Sequence, residues 1–218
     1  MQARFLVMEG VDGSGKTTQA EGLFAWMRSL GRDPVHLREP GTTQMGERLR
    51  RVLLDPDREP CSPRTEALLF FAARGELLRQ EVAPALAAGR DVICERFTPS
   101  TLAYQGQDPD DRKFILALDE IVVGAHQPDL VLLLDLPASS SWQRTQSRAG
   151  NAELDAMEAR GLEFLEQVRT GYLAYAAARS RQSALLEVDG WERERVQTAL
   201  RAQLMDRFPN EFSEQMEA

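Results

Sequence analysis

The segment Gly10-Val-Asp-Gly-Ser-Gly15-Lys16-Thr17 has the spacing G-x-x-x-x-G-K-[ST], and each residue type in it has a task in holding phosphate. Glycines let the backbone curl so that successive N–H groups converge on anionic oxygens. The lysine reaches the β- and γ-phosphates of a nucleotide, and the threonine hydroxyl is a ligand for Mg2+. The loop leads into a helix N-terminus, whose unpaired N–H groups and dipole favour an anion. Lysine usage sharpens the reading, because the chain has two lysines, Lys16 and Lys113, against 24 arginines. A coding bias toward arginine explains the scarcity of lysine. It does not explain why one of the two stands where a compact ammonium must enter a tight loop, a position that a planar guanidinium fills poorly.

Such a loop works only if regular elements hold it in place. Five short apolar runs, at 4–8, 35–38, 92–95, 130–136 and 185–188, alternate with amphipathic stretches. That alternation predicts an α/β chain with a five-stranded parallel sheet flanked by helices on both faces. A helix is expected over 18–30, with Gly31 just past its end. Ser62-Pro63 reads as an N-cap and first-turn proline opening a long helix that stops before Gly89. No repeat or Gly/Ser linker divides the chain, so a single domain is expected over 1–208. The polar, acidic stretch 209–218 reads as a frayed tail. Two segments interrupt the pattern. The turn-rich run 55–60 reads as a surface connection, whereas 147–155 is a polar excursion containing Gly150. Arg144 and Arg148, four residues apart, share one helix face beside it, and together they suggest a mobile lid near 144–158.

In an open parallel sheet, ligand groups gather beyond the carboxyl ends of the strands. Those ends carry Asp12, then Arg38-Glu39-Pro40-Gly41, Glu95-Arg96-Phe97, Asp135 and Asp189-Gly190. Carboxylates and arginines around one phosphate loop are what metal-assisted phosphoryl transfer requires. Asp135 and Glu39 read equally well as solvated strand ends. Arg96 stands out because a polar turn, Thr98 to Gly106, follows it.

Composition narrows the field. The chain has 218 residues and a net charge of −8, which argues against general binding to nucleic acid or anionic membranes. Its apolar stretches, such as 67–73, are far too short to span a bilayer, and Glu9 interrupts the N-terminus too early for a signal peptide. Two cysteines, Cys61 and Cys94, are too few for a disulfide framework and suggest a reducing compartment, the cytoplasm. His36 and His126 lack metal-ligand spacing and read as structural or solvated.

Five segments together resemble the thymidylate kinases, the phosphate-loop family that converts dTMP to dTDP. They are Glu9 to Thr18, Arg38 to Gly41, Leu69-Phe-Phe-Ala-Ala-Arg74, Glu95-Arg-Phe97 with Ser100-Thr-Leu-Ala-Tyr-Gln-Gly106, and Pro128-Asp129-Leu130. They occur in the family's order, and the similarity runs from Met1 to about Arg207. The resemblance implies a P-loop kinase fold, ATP and dTMP as substrates, Mg2+ and a homodimer. The implied ATP site is Gly10, Val11, Asp12, Gly13, Ser14, Gly15, Lys16, Thr17 and Thr18, with Arg144 against the adenine. The implied dTMP site takes Asp12, Arg38, Pro40, Phe70, Arg74, Arg96, Thr101, Tyr104 and Gln105. Phe70 would stack on thymine, Tyr104 would face the 2′ carbon, and Arg96 would grip the phosphate. Without the resemblance, Phe70 beside Phe71 reads as a core aromatic. Thr17 and Glu95 would hold the metal, and Lys16, Arg96, Asp12 and Arg148 would carry the catalysis.

Three positions depart from the family pattern. Glu95 replaces an aspartate, Phe97 replaces a common tyrosine, and Ala156 replaces a lid arginine. Gly13 also leaves the loop without a basic residue, a bacterial-type trait that puts the burden of positive charge on Arg144 and Arg148, with Arg160 next in line. The alternatives are a kinase for another small acceptor, an idle nucleotide-binding protein, and a GTPase-type switch. The last needs an Asn-Lys-x-Asp base reader, and neither Asn151 nor Asn210 is followed by lysine.

Overall fold

A computed structural model describes residues 2–150 and 153–212. The chain builds β1 (Phe5–Gly10), α1 (Lys16–Ser29), β2 (Val35–Arg38), α2 (Gln44–Leu54), α3 (Pro63–Leu77), a π-helical turn (Leu78–Val82), α4 (Ala83–Ala87) and β3 (Val92–Glu95). It continues with α5 (Thr98–Gln105), α6 (Pro109–Val122), β4 (Leu130–Asp135), α7 (Ala138–Ala149), a 3-10 turn (Glu158–Arg160), α8 (Gly161–Ala178), β5 (Ser183–Glu187), α9 (Arg193–Arg207) and α10 (Pro209–Phe212). The five strands form one parallel sheet in the order β2-β3-β1-β4-β5.

Burial follows from the alternation of side chains along each strand. In β1, Leu6 and Met8 enter one core with Leu23, Leu132, Val168 and Leu200. Phe5 and Val7 enter the opposite core with Phe71, Val92, Phe97 and Ile115. Both faces are thus covered, and β1 is buried along its whole length. The long helix opened by Ser62 forms as expected, its hydroxyl accepting from the Thr65 N–H at 3.1 Å. It changes to a π turn ahead of Pro84, whose ring and missing N–H do not fit an uninterrupted α-helix.

The sheet order makes the functional crevice. Register sets Met8 beside Glu95 and Glu95 beside Arg38, so the loops after β1, β2 and β3 open at one level. Beside them, Gly10 pairs with Leu134 of β4.

The tail departs from expectation. Its first four residues form α10, and Phe212 is fully buried, stacked on Trp26 with a centroid separation of 5.8 Å. The guanidinium of Arg32 lies over the Phe212 ring at 4.6 Å, and Glu211 bonds Arg4. A polar composition concealed one aromatic anchor. Residues 213–218 of the expected tail, and Asn151 and Ala152 of the expected lid, lie outside the described residues. Phe212→Ala should destabilise the protein by about 3–5 kcal/mol. Urea unfolding would register this as a lower midpoint at constant slope.

Candidate active site

The phosphate loop is shaped by contacts that exclude other residues. Gly10 has φ +143°, and a Cβ there would stand 2.5 Å from the Leu134 carbonyl oxygen and 2.7 Å from Ser14 Oγ. The Lys16 ammonium folds into the loop, donating to the carbonyls of Gly10 (3.0 Å) and Val11 (2.9 Å). Burial and the nearby Arg96 guanidinium push Lys16 down to about 8, against the pull of Asp12. Helix α7 braces the loop, with Ser141 Oγ donating to the Asp12 carbonyl at 2.6 Å.

Two cavities meet beside this loop. One is lined by Gly13, Gly15, Lys16, Thr17, Thr18, Glu95 and Arg148. The other is lined by Pro40, Phe70, Arg74, Thr101, Tyr104 and Gln105. Asp12, Glu39, Arg50, Arg96 and Asp155 line both, so the cavities join across a cluster of carboxylates and guanidinium groups.

Arg96 dominates the junction. Its backbone has φ +66°, a conformation rare for a residue with a side chain. Strain of that kind persists where the surroundings over-determine it. Here they do. The Arg96 N–H donates to the Met8 carbonyl, and the guanidinium meets Asp12 Oδ1 at 2.5 Å, with Ser100 Oγ and the Tyr172 hydroxyl each at 3.2 Å. Beneath it lies Glu9, fully buried, which accepts from Ser100 and Tyr172. Burial alone would raise Asp12; Arg96, Lys16 and the Tyr104 hydroxyl overturn this and hold it well below the usual carboxylate range.

The second cavity has one rigid wall and one aromatic face. Tyr104 donates to Asp12 Oδ2 at 3.0 Å, lies under Arg96 with 5.3 Å from guanidinium carbon to ring centroid, and meets Phe164 edge-on. Of the neighbouring pair, Phe71 is buried in the core and Phe70 lines the cavity. Phe70 is partly buried against the other core as well as lining the cavity. Arg74 is fully buried between the Phe71 and Phe97 rings, where it bonds Glu39, Thr98 and Thr101. Burial pushes the Glu39 carboxyl up to about 7 even against that guanidinium.

Thr17 donates to Glu95 Oε2 at 2.5 Å at the rim of the phosphate-loop cavity. The other oxygen of Glu95 takes His36 Nε2 at 2.9 Å. Although burial pushes Glu95 up, these two bonds outweigh it and hold it low. A hydroxyl beside a carboxylate held ionised fits Mg2+, which takes one or two carboxylates along with substrate phosphates. His36, read from sequence as structural or solvated, is the residue that orients this carboxylate.

Several residues sit apart from their expected places. Arg38 lines the phosphate-loop cavity rather than the one with Phe70, and its guanidinium pairs with Glu47. Asp135 is held by Nε and Nη2 of Arg169 and lines neither cavity. Arg144 reaches back to the Gly13 carbonyl at 3.2 Å, whereas Arg148 lines the phosphate-loop cavity and pairs with Glu158. Arg160 is engaged by Glu66. Arg50 and Tyr172 are not among the expected site residues; Asp155 and Met157 come from the expected lid segment, which is tied to α2 by the Ala156 N–H on the Leu54 carbonyl.

Known proteins match this arrangement along most of the chain. The family described as thymidylate kinase matches residues 8–196. The chain belongs to the thymidylate kinase family. Relatives include the thymidylate kinase of Pelotomaculum thermopropionicum, 41% identical over 88% of this chain and 89% of that protein. That of Pseudomonas fluorescens is 43% identical over 86% and 88% respectively. The crystal structure of the Ehrlichia chaffeensis thymidylate kinase superposes with a TM-score of 0.74 at 28% identity, covering 94% of this chain and all of that one. Family membership makes the protein a phosphotransferase with the P-loop kinase fold.

Proposed function

We propose that this protein transfers the γ-phosphoryl group of Mg-ATP to dTMP, giving dTDP and ADP. The observation that carries the reading is the pair of cavities joined through Asp12, Arg50 and Arg96. ATP lies with its phosphates on the loop N–H groups and Lys16. The thymine lies against Phe70, with Gln105 and Thr101 at its edge and Tyr104 under the sugar. Arg96 and Arg50 hold the acceptor phosphate at the junction, facing the transferring group.

The acceptor oxygen needs no strong base, because a phosphate monoester is already mostly ionised near neutral pH. Catalysis therefore comes from alignment and from neutralising charge. Asp12 fixes Arg96 and Tyr104 together, so one carboxylate sets both the phosphate grip and the sugar wall. Thr17 and Glu95 hold the Mg2+, which when bound offsets charge on the phosphates. Arg148 leaves Glu158 to reach the γ-phosphate as the lid closes, and Arg144 flanks the adenine.

The reading includes a homodimer in the cytoplasm. Large apolar side chains are exposed on three helices packed in series: Met45 and Val52 on α2, Leu68 on α3, and Leu116 and Ile121 on α6. Exposed apolar surface of that kind suits a two-fold contact between copies.

A coupled ADP-release assay with dTMP, dUMP, dCMP and AMP tests the function. The highest kcat/KM is expected for dTMP, with AMP inert. Equal turnover of AMP would contradict the assignment.

A further inference from the structure

Glu66 on α3 is 1% exposed, and nothing in the phosphoryl-transfer chemistry uses it. Its two oxygens are divided. Oε1 takes the guanidinium groups of Arg58, from the connection between α2 and α3, and of Arg160, from the end of the lid segment. Oε2 takes Gln105 Nε2 at 3.0 Å. A carboxylate paired with two guanidinium groups only accepts, so the Gln105 amide must turn its nitrogen to Glu66 and its carbonyl away. That carbonyl oxygen is buried and has no hydrogen-bond partner among the described residues, on a side chain that lines the Phe70 cavity.

We infer that Glu66 is a positioning residue for acceptor choice: by holding the Gln105 amide in one orientation, it presents the base with a hydrogen-bond acceptor and so selects a pyrimidine that carries a hydrogen on N3. The inference rests on reading this cavity as the nucleoside site. Thymine and uracil offer an N3–H to such a carbonyl. Cytosine offers a lone pair, which would set acceptor against acceptor in a buried place. A site built around a hydrogen bond rejects the analogue that leaves its polar group unpaired. The rejection needs the amide to be unable to turn over, and a neutral partner at position 66 would allow it to turn. Arg58 and Arg160 hold the carboxylate from two sides and offset its charge, as a buried ion requires. Discrimination thus comes from an orientation that is forbidden as much as from one that is favoured.

Glu66→Gln tests this with kcat and KM measured for dTMP and dCMP at saturating ATP. The expected result is a higher KM for dTMP, an unchanged KM for ATP, and a fall of at least about tenfold in the dTMP-over-dCMP ratio of kcat/KM. Glu66→Asp, which still only accepts, should keep the ratio. A purely structural role would lower both acceptors equally, so a folded Glu66→Gln protein with the wild-type ratio overturns the proposal. Gln105→Ala separates the two readings. If it leaves dTMP affinity intact, the base lies elsewhere and both fail; if it loses dTMP affinity while Glu66→Gln keeps the ratio, only the role of Glu66 fails. Should Glu66→Gln not fold, a neutron structure of the wild type with dTMP, which locates the amide deuterons, decides. Gln105 Oε1 on thymine N3 with Nε2 on Glu66 supports the proposal, and an amide turned with Nε2 to the ring overturns it.

Discussion

Replacing Arg148 with alanine is expected to lower kcat by roughly 10³–10⁵-fold while the KM for dTMP stays near the wild-type value. That loss corresponds to about 4–7 kcal/mol of barrier. The argument starts at Gly13. The loop supplies no arginine of its own, and Ala156 supplies none from the lid. Arg148 is the lid-side guanidinium that lines the phosphate-loop cavity, together with Asp12 and Asp155. Its side chain is 60% exposed and its partner Glu158 only 12%, so it can swing to a phosphate at little desolvation cost. Arg144, bonded to the Gly13 carbonyl, should behave differently: its alanine variant mainly raises the KM for ATP. Single-turnover kinetics separate the two. Near-normal chemistry in the Arg148→Ala protein would remove it from the mechanism.

Lys16→Ala should cost about 10²–10³-fold or more in kcat with the fold intact. Among the described residues the ammonium bonds the Gly10 and Val11 carbonyls of its own loop and stands 3.9 Å from Asp12, and it belongs to neither hydrophobic core. What disappears is a charge pre-aimed at the bridging and transferring phosphates. Circular dichroism and the unfolding midpoint should match the wild type. Activity above a tenth of the wild-type rate would refute the role.

The parts of this site legible in the sequence are those set by local chemistry. The phosphate loop is one: positive-φ glycines and one lysine at fixed spacing have few other uses. The sheet is another, because a buried parallel strand must be apolar nearly throughout. Phe70 and Phe71 mark the limit. Adjacent helical residues differ by about 100° in direction, and only the packing of α3 decides which one meets the core. Arg50, Tyr172 and Glu66 gain their meaning from elements distant in the chain; Tyr172 bonds Glu9 across 163 residues. Neither spacing nor composition signals such a pair. His36 reads as structural or solvated because it has no ligand motif, yet the register of β2 against β3 brings it to Glu95. Asp135 reads two ways in the sequence, because a strand-end carboxylate looks the same whether it faces a ligand or, as here, Arg169.

The most direct test of the two-cavity account is equilibrium titration of dTMP and ATP, separately, into wild-type, Phe70→Ala and Tyr104→Ala proteins. Losing a base-stacking aromatic costs about 1–3 kcal/mol, or roughly five- to 150-fold in affinity. Weaker dTMP binding of that order is predicted for Phe70→Ala, and weaker dTMP binding through the lost sugar wall for Tyr104→Ala, with ATP affinity unchanged because neither side chain lines the phosphate-loop cavity. Wild-type dTMP affinity in both variants would contradict the account and put the acceptor nucleoside elsewhere.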